Sequence, residues 1–346
     1  MQTSVYNFTI KLDWKLIRLL NQIDRFDASW ASIEKREGQS LKQLKSIATV
    51  RSVGASTRIE GSQLSDTQVE RLLKQIDITK LEDRDSQEVV GYFNALDFIS
   101  ESGTDIHISQ NNLNHLHQLL LQYSLKDEWH RGDYKQQSNA VEAHMPDGSR
   151  QVIFQTTEPG FQTIDAMKGL LDWYHTDEKT PTLVKCALFC YEFVTIHPFQ
   201  DGNGRLSRLL ATLLLLKHGY KWIEYVSLEH EIESRKSEYY RVLRSCQANR
   251  PGEDVTEWIT FFFDALENIQ QQLMQKLEMQ GVVTSLSSRD KAIITFVASN
   301  PGCKSGEISA QLQLPAPTVK RALTELVNKN QLIKHGVGPG TNYTAV

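Results

Sequence analysis

A mainly α-helical protein of two or three domains is predicted by three observations. Apolar residues recur at helical spacing over most of residues 11–280, one internal segment alternates in a β-prone way around a tight turn, and residues 285–346 have an element order of their own. At 346 residues the chain is too long for one ordinary core. Its 40% hydrophobic and 23% charged residues are those of a globular protein, which excludes disorder over most of the length.

The elements follow in order. Leu12, Leu16, Leu19, Leu20 and Ile23 mark a first helix, and Leu113, Leu116, Leu119 and Leu120 a later one. Further helices are expected near residues 86–100, 164–175, 182–195, 205–218, 231–248 and 255–279. Residues 139–157 break this rule, with two β-prone stretches on either side of Pro146-Asp147-Gly148-Ser149, which reads as a hairpin. A lone hairpin on a helical body has little sheet to join, so its edge is free to pair with another chain. Helices at 289–299, 304–312 and 317–330 then precede a glycine-rich turn, from Lys334 to Thr341, between two short strands. Helix, helix, helix, wing is the winged-helix pattern, with Lys320 and Arg321 where a recognition helix would meet DNA. Winged helices also serve protein contacts, and both readings stay open. The expected domains are a helical N-terminal region (1–105), a helical core (106–280) and a winged-helix domain (285–346).

Charge sharpens this division. Residues 285–346 hold Arg289, Lys291, Lys304, Lys320, Arg321, Lys329 and Lys334 against Asp290, Glu307 and Glu325, a balance of +4. The net charge is −4, so residues 1–284 carry −8. An acidic body argues against a protein that coats nucleic acid along its whole length. Four cysteines exclude a disulfide scaffold; Cys186 and Cys190 lie one helical turn apart without two further zinc ligands nearby, and Cys246 and Cys303 are distant. Buried free thiols in a reducing cytosol are expected. Residues 1–16 lack the basic start and apolar core of a signal peptide, and the longest apolar run, residues 206–216, is too short to span a bilayer. A soluble, cytoplasmic protein without membrane contact is expected.

Chemistry concentrates between Ile196 and Arg208. Pro198 ends one helix, Gly202 and Gly204 let the backbone approach a ligand closely, and a new helix starts at about Arg205. Free amides at that helix start, together with Arg205 and Arg208 three residues apart, suit a di- or triphosphate. Asp201 is a hard oxygen ligand placed to hold Mg²⁺ bridging phosphates, and Asn203 can donate to a phosphate oxygen. His197 lies just before the loop, suited to take a proton from an attacking hydroxyl. Phe199 reads as an apolar anchor of the loop.

These residues resemble the signature of the Fic family, His-x-Phe-x-(Asp/Glu)-Gly-Asn-Gly-Arg-x-x-Arg, and match it at every specified position. The resemblance extends over residues 1–275. It implies a helical core that binds Mg-ATP and transfers AMP to a Tyr, Thr or Ser hydroxyl of a target protein or of the chain itself. It implies His197 as general base and Asp201 as Mg²⁺ ligand. Gly202, Asn203, Gly204, Arg205, Leu206, Ser207 and Arg208 would form the ATP site, with Tyr239, Tyr240 and Leu243 along the base. The hairpin at 139–157 would match the family's flap, which docks the target segment. Attack at the α-phosphorus gives AMP transfer and attack at the γ-phosphorus a kinase; the local sequence does not decide between them.

Ser56, Glu60 and Gly61 form a second feature. Local sequence favours a capping box, with Thr57 as the cap and Glu60 three residues on. The resemblance reverses this, because N-terminally inhibited Fic proteins carry (Ser/Thr)-x-x-x-Glu-(Gly/Asn) there. It implies that Glu60 pairs with Arg208 and holds ATP in an unproductive pose. Two alternatives stand beside AMP transfer: removal of AMP by the same site, with Glu60 positioning water, and a DNA-binding regulator that senses ATP. The family also forms dimers, which leaves a homodimer open.

Overall fold

The computed structural model describes residues 2–144, 150–284, 287–328, 331–336 and 338–345. They fall into two units, Met1–Leu273 and Met274–Val346. The first opens with an antiparallel strand pair, β1 (Gln2–Val5) and β2 (Phe8–Lys11). The sequence reading, which takes 1–105 as a helical region with helix from residue 11 onward, does not announce this strand pair. Phe8 and Ile10 are buried, and β2 is bonded to the body by Thr9 N–H to Glu253 O (2.8 Å) and Val255 N–H to Thr9 O (3.0 Å). Strands of four residues carry too little periodicity to be read from sequence.

The long helix α1 (Trp14–Ile59) starts where Asp13 accepts the Leu16 N–H at 2.7 Å, and it buries Leu16, Leu19, Ile23, Trp30, Leu41 and Leu44 along one stripe. Helices α2 (Asp66–Lys74), α3 (Arg84–Ser102) and α4 (Gln110–Leu120) each begin at a side-chain cap, from Ser65, Asp83 and Ser109. Strands β3 (Ala140–His144) and β4 (Arg150–Gln155) pair antiparallel, from Ala140 opposite Gln155 to His144 opposite Arg150. Among the described residues they join no third strand. The expected Pro146–Ser149 turn lies outside the described residues.

Helix α5 (Phe161–Thr176) precedes the central pair, α6 (Thr182–Ile196) and α7 (Asn203–Lys217). Residues 186–193 of α6 and 205–216 of α7 are buried without interruption. A helix buried on all sides belongs in the middle of a helical body, which explains the leucine-rich run. No described helix is long and apolar enough to cross a membrane. Helices α8 (Leu228–Ser234), α9 (Lys236–Gln247) and α10 (Thr256–Thr284) follow. The sequence reads 231–248 as one helix. The structure breaks it at Arg235, whose guanidinium instead lies 4.5 Å from the Phe261 ring centroid. All four cysteines are buried and free.

The second unit has its own core. Helices α11 (Ser288–Ser299), α12 (Ser305–Gln311) and α13 (Ala316–Asn328) bury Ile293, Val297, Ile308, Val319, Leu323 and Leu326 together. The antiparallel pair β5 (Leu332–His335) and β6 (Asn342–Ala345) follows, which is the element order expected from the sequence. Lys320 and Arg321 are exposed on α13, and Arg321 is occupied by Glu325 at 3.0 Å. Lys329 and Val337 lie outside the described residues.

One close approach fixes α3 against α4. A Cβ at Gly91 would stand 2.2 Å from the Leu120 carbonyl oxygen, so only glycine fits. Gly91→Ala is expected to cost about 1–3 kcal/mol in urea unfolding. Gly38→Ala, at an exposed position of α1 with nothing within 4 Å of the added carbon, should instead gain about 0.5–1 kcal/mol.

Candidate active site

The turn between α6 and α7 is bracketed by one side chain. Asn203 Oδ1 accepts the Phe199 N–H at 2.8 Å, and Asn203 Nδ2 donates to the Phe199 carbonyl at 2.8 Å. The sequence reading gave this amide to a phosphate; in the structure it is buried and holds the loop closed. Gly202 sits at φ +78, and a Cβ there would crowd Leu120 at 3.3 Å. Below the loop, His117 stacks on Phe199 with centroids 3.9 Å apart. Its Nδ1 accepts the Gly132 N–H at 2.9 Å, which leaves Nε2 to donate to the Asp201 carbonyl at 3.0 Å. Burial pushes His117 down to about 4, in keeping with that neutral form.

His197 caps α6 in the left-handed region, at φ 55, which costs a non-glycine residue about 1–2 kcal/mol. The turn aims its ring into a cavity. Nδ1 lies 3.1 Å from the Val194 carbonyl and so carries the proton, leaving the Nε2 lone pair free to accept one. Burial, helped by the nearby Lys135 charge, holds the imidazole below the ordinary histidine value.

Asp201 is partly exposed at the loop mouth. Oδ1 accepts the Gly202 N–H at 2.6 Å and lies 3.3 Å from Arg205, while Oδ2 lies 3.2 Å from Lys126 Nζ. Burial alone would raise its pKa, but Arg205, Lys126 and the Gly202 N–H outweigh it and hold the carboxyl well below the usual carboxylate range. Asp201 is therefore ionised at any physiological pH. Among the described residues no three ligating side chains converge. An ion held here would take one carboxylate oxygen and complete its shell with water and substrate phosphates, which is how Mg²⁺ is commonly held.

The two arginines, three residues apart, diverge. Arg205 is buried, within 3.3 Å of both Glu88 and Asp201, and its Nε and NH1 have no hydrogen-bond partner within the protein. Arg208 is 3% exposed and points to α1. Its Nε donates to Ser56 Oγ at 2.8 Å, and NH2 donates to the Ser56 carbonyl at 3.0 Å and to Glu60 Oε1 at 2.8 Å. Burial works against the Arg208 charge, but the Glu60 carboxylate more than restores it. Burial likewise opposes ionisation of Glu60, and Arg208 and Arg205 reverse that. Leu206 and Ser207 are buried, with Ser207 Oγ donating to the Cys190 carbonyl at 3.2 Å.

Glu60 reaches Arg208 because α1 ends there. The Ser62 N–H bonds to Thr57 O and the Gly61 N–H to Arg58 O, both at 3.1 Å, with Gly61 at φ +107. This reversal needs glycine after the cap. The capping-box reading fails: Thr57 lies inside α1, and its hydroxyl bonds to Val53 O and Gly54 O. Arg58 ties the same turn to Glu233 at 2.6 Å, and Lys236 Nζ caps it at Ile59 O, 2.7 Å away. A Cβ on Gly204 would stand 2.5 Å from Glu60 Oε1, so the second loop glycine makes room for the carboxylate.

His197, Gly204, Arg208 and Glu60 open on one cavity of about 560 Å³, closed on its far side by Tyr239, Tyr240, Leu243 and Gln247 of α9. The volume suits a nucleotide. Asp201, Asn203, Arg205, Leu206 and Ser207 are not among its walls. Sequence reasoning missed His117, Glu88, Lys126, Lys135 and Lys236. Each meets the loop, its arginines or the end of α1 from a distant part of the chain, and no local spacing announces it.

Residues 107–215 match the family described as Fic/DOC. Proteins named protein adenylyltransferase Fic from Drosophila willistoni and Drosophila melanogaster are each 25% identical over 256 residues, 72% of this chain. The chain spans less than half the length of these curated relatives, 46% and 47%. A Fic family protein from Desulfovibrio desulfuricans superposes with a TM-score of 0.63 at 23% identity over 97% of both chains. A Fic domain containing signaling protein from Bacteroides thetaiotaomicron gives 0.59 at 21% identity, covering 74% of this chain and 97% of that one. The chain thus has the helical fold of solved Fic proteins and carries, over residues 107–215, a segment that matches the Fic/DOC family.

Proposed function

We propose that the chain transfers AMP from Mg-ATP to a hydroxyl side chain of a target protein or of itself, and that Glu60 restrains it. The observation that carries this reading is the Glu60–Arg208 contact of 2.8 Å on the wall of the cavity that His197 enters. A phosphate entering beside Arg208 must displace that carboxylate. With Glu60 gone, a buried guanidinium is left to be answered by an incoming anion.

The chain's own groups divide the work. His197 Nε2 takes the proton of the acceptor hydroxyl as the oxygen attacks the α-phosphorus. A new P–O bond forms, the bond to the bridging oxygen breaks, and pyrophosphate leaves. The amides at the start of α7 and Arg208 hold the phosphate charge, while Arg205, buried between Glu88 and Asp201, adds positive charge from behind the loop. Mg²⁺, held by Asp201 and the phosphates, would neutralise charge on the leaving group. Lys126 would release Asp201 to it. Tyr239, Tyr240 and Leu243 would line the base.

A second reading, removal of AMP from modified protein, is favoured by the position of Glu60. Its carboxylate faces the same cavity as His197 and could orient a water. Contact of the basic second unit with DNA or protein, and a homodimer, are further proposals within this one.

Incubation with Mg²⁺ and ATP labelled at the α- or the γ-phosphate tests the reading. Glu60→Gly is expected to incorporate α-label into itself or a lysate protein about tenfold above wild type or more, a bias of ~1.4 kcal/mol or more. Glu60→Gly/His197→Ala should lose that signal by about 10²–10⁴. Label from the γ-phosphate alone would make the chain a kinase. No label with ATP still bound would favour AMP removal or sensing.

The base also sets a pH signature. Because the His197 pKa is lowered, the neutral form persists to more acid pH. The acid limb of the Glu60→Gly rate profile is expected below about pH 6.5, the value of an unperturbed histidine. An acid limb above it would remove His197 as the base.

A further inference from the structure

Lys135 is 2% exposed, an expensive place for an ammonium group. Its Nζ donates to three uncharged oxygens: Asn139 Oδ1 at 2.9 Å, Thr156 Oγ1 at 2.8 Å and the Ile196 carbonyl at 3.3 Å. These acceptors come from three places that matter to one another. Asn139 immediately precedes β3, Thr156 immediately follows β4, and Ile196 immediately precedes His197.

Further bonds close the same knot. Thr156 Oγ1 donates to the Asn139 carbonyl at 2.6 Å, Asn139 Nδ2 to the Phe199 carbonyl at 2.9 Å and Thr157 Oγ1 to the Ile196 carbonyl at 2.8 Å. The Lys135 N–H itself bonds to Pro198 O at 2.8 Å. Three donors diverging from one atom is what a lysine offers and a neutral side chain of that length does not. A cation at the last carbonyls of α6 also faces the negative end of that helix. Burial lowers the Lys135 pKa to about 8, against the pull of Glu158, so the group is mostly charged at neutral pH.

We infer that Lys135 is a positioning residue that fixes the root of the β3–β4 hairpin to the turn carrying His197. A peptide strand laid along the free hairpin edge is thereby held in register with the base. This rests on the function proposed above. The hairpin supplies the docking edge, Lys135 supplies its fixed distance from His197, and neither Lys135 nor Asn139 lines the cavity that would hold the nucleotide.

Hydrogen exchange on the full chain, read by mass spectrometry, tests the inference without a known target. Lys135→Met is expected to speed amide exchange about tenfold or more in 140–144, 150–155 and 196–203 while the rest of the first unit stays unchanged. Lys135→Arg should restore slow exchange. Asn139→Ala, which removes a shared acceptor without touching the lysine, should raise exchange in the same segments. The dissociation constant of a fluorescent ATP analogue should be unchanged in all three. In the Glu60→Gly background, Lys135→Met should then lower kcat for α-label transfer about tenfold at constant KM for ATP, with Lys135→Arg recovering it. Unchanged exchange in Lys135→Met would overturn the inference, and so would a rise spread evenly over the whole unit. If Glu60→Gly itself transfers no label, the functional reading falls, and the exchange pattern still decides whether Lys135 couples hairpin and turn.

Discussion

A guanidinium that is almost wholly buried must be answered by oxygen, and much of the site follows from how Arg208 is answered. Its position on α7 comes from a helix buried on every side, so the side chain meets the outside only through the cavity that Glu60 borders. Ser56 supplies two oxygens and Glu60 a third, all from the last turns of α1. That forces α1 to end where it does, and Gly61 turns the chain away. Arg58 and Lys236 then pin the turn to α8 and to α9, the second of which closes the cavity.

A second constraint operates on the other side of the loop. Asn203 clamps Phe199, His117 supports both Phe199 and Asp201, and His197 is left in a strained left-handed cap with one nitrogen committed. The strain is held by neighbours that are themselves buried, so the ring is set before any substrate arrives. Preorganisation of this kind is where such a site would gain its rate, since phosphoryl and nucleotidyl transfer ask little covalent chemistry of the protein.

The loop from His197 to Arg208 was legible because its chemistry is local: two glycines, a proline and the charged residues fall within one turn and one helix start. The helical class was legible from leucine spacing, and the hairpin from a Pro-Asp-Gly turn. The pairing of Glu60 with Arg208 could not be derived from spacing, since 148 residues separate them. It entered only through resemblance, while the local pattern around Thr57 pointed to a cap that does not exist. Asn203 was misread for a related reason: its partner is the backbone of Phe199, and sequence shows side chains only. β1 and β2 escaped because four-residue strands have no period to show. His117 and Lys135 act through shape and burial, which are properties of the fold.

The attachment of α1 has one more consequence. The helix is packed along the first unit for 46 residues, and its final turn is tied on two sides. Glu60 cannot be withdrawn by sliding or hinging so long a rod without tearing its whole buried stripe. The shortest way out for the carboxylate is rotation about its own side-chain bonds, which leaves α1 in place. On the proposed function, relief of the contact would then be a matter of competition for one cation, governed by the concentration and charge of the anion that arrives, rather than a slow change of shape.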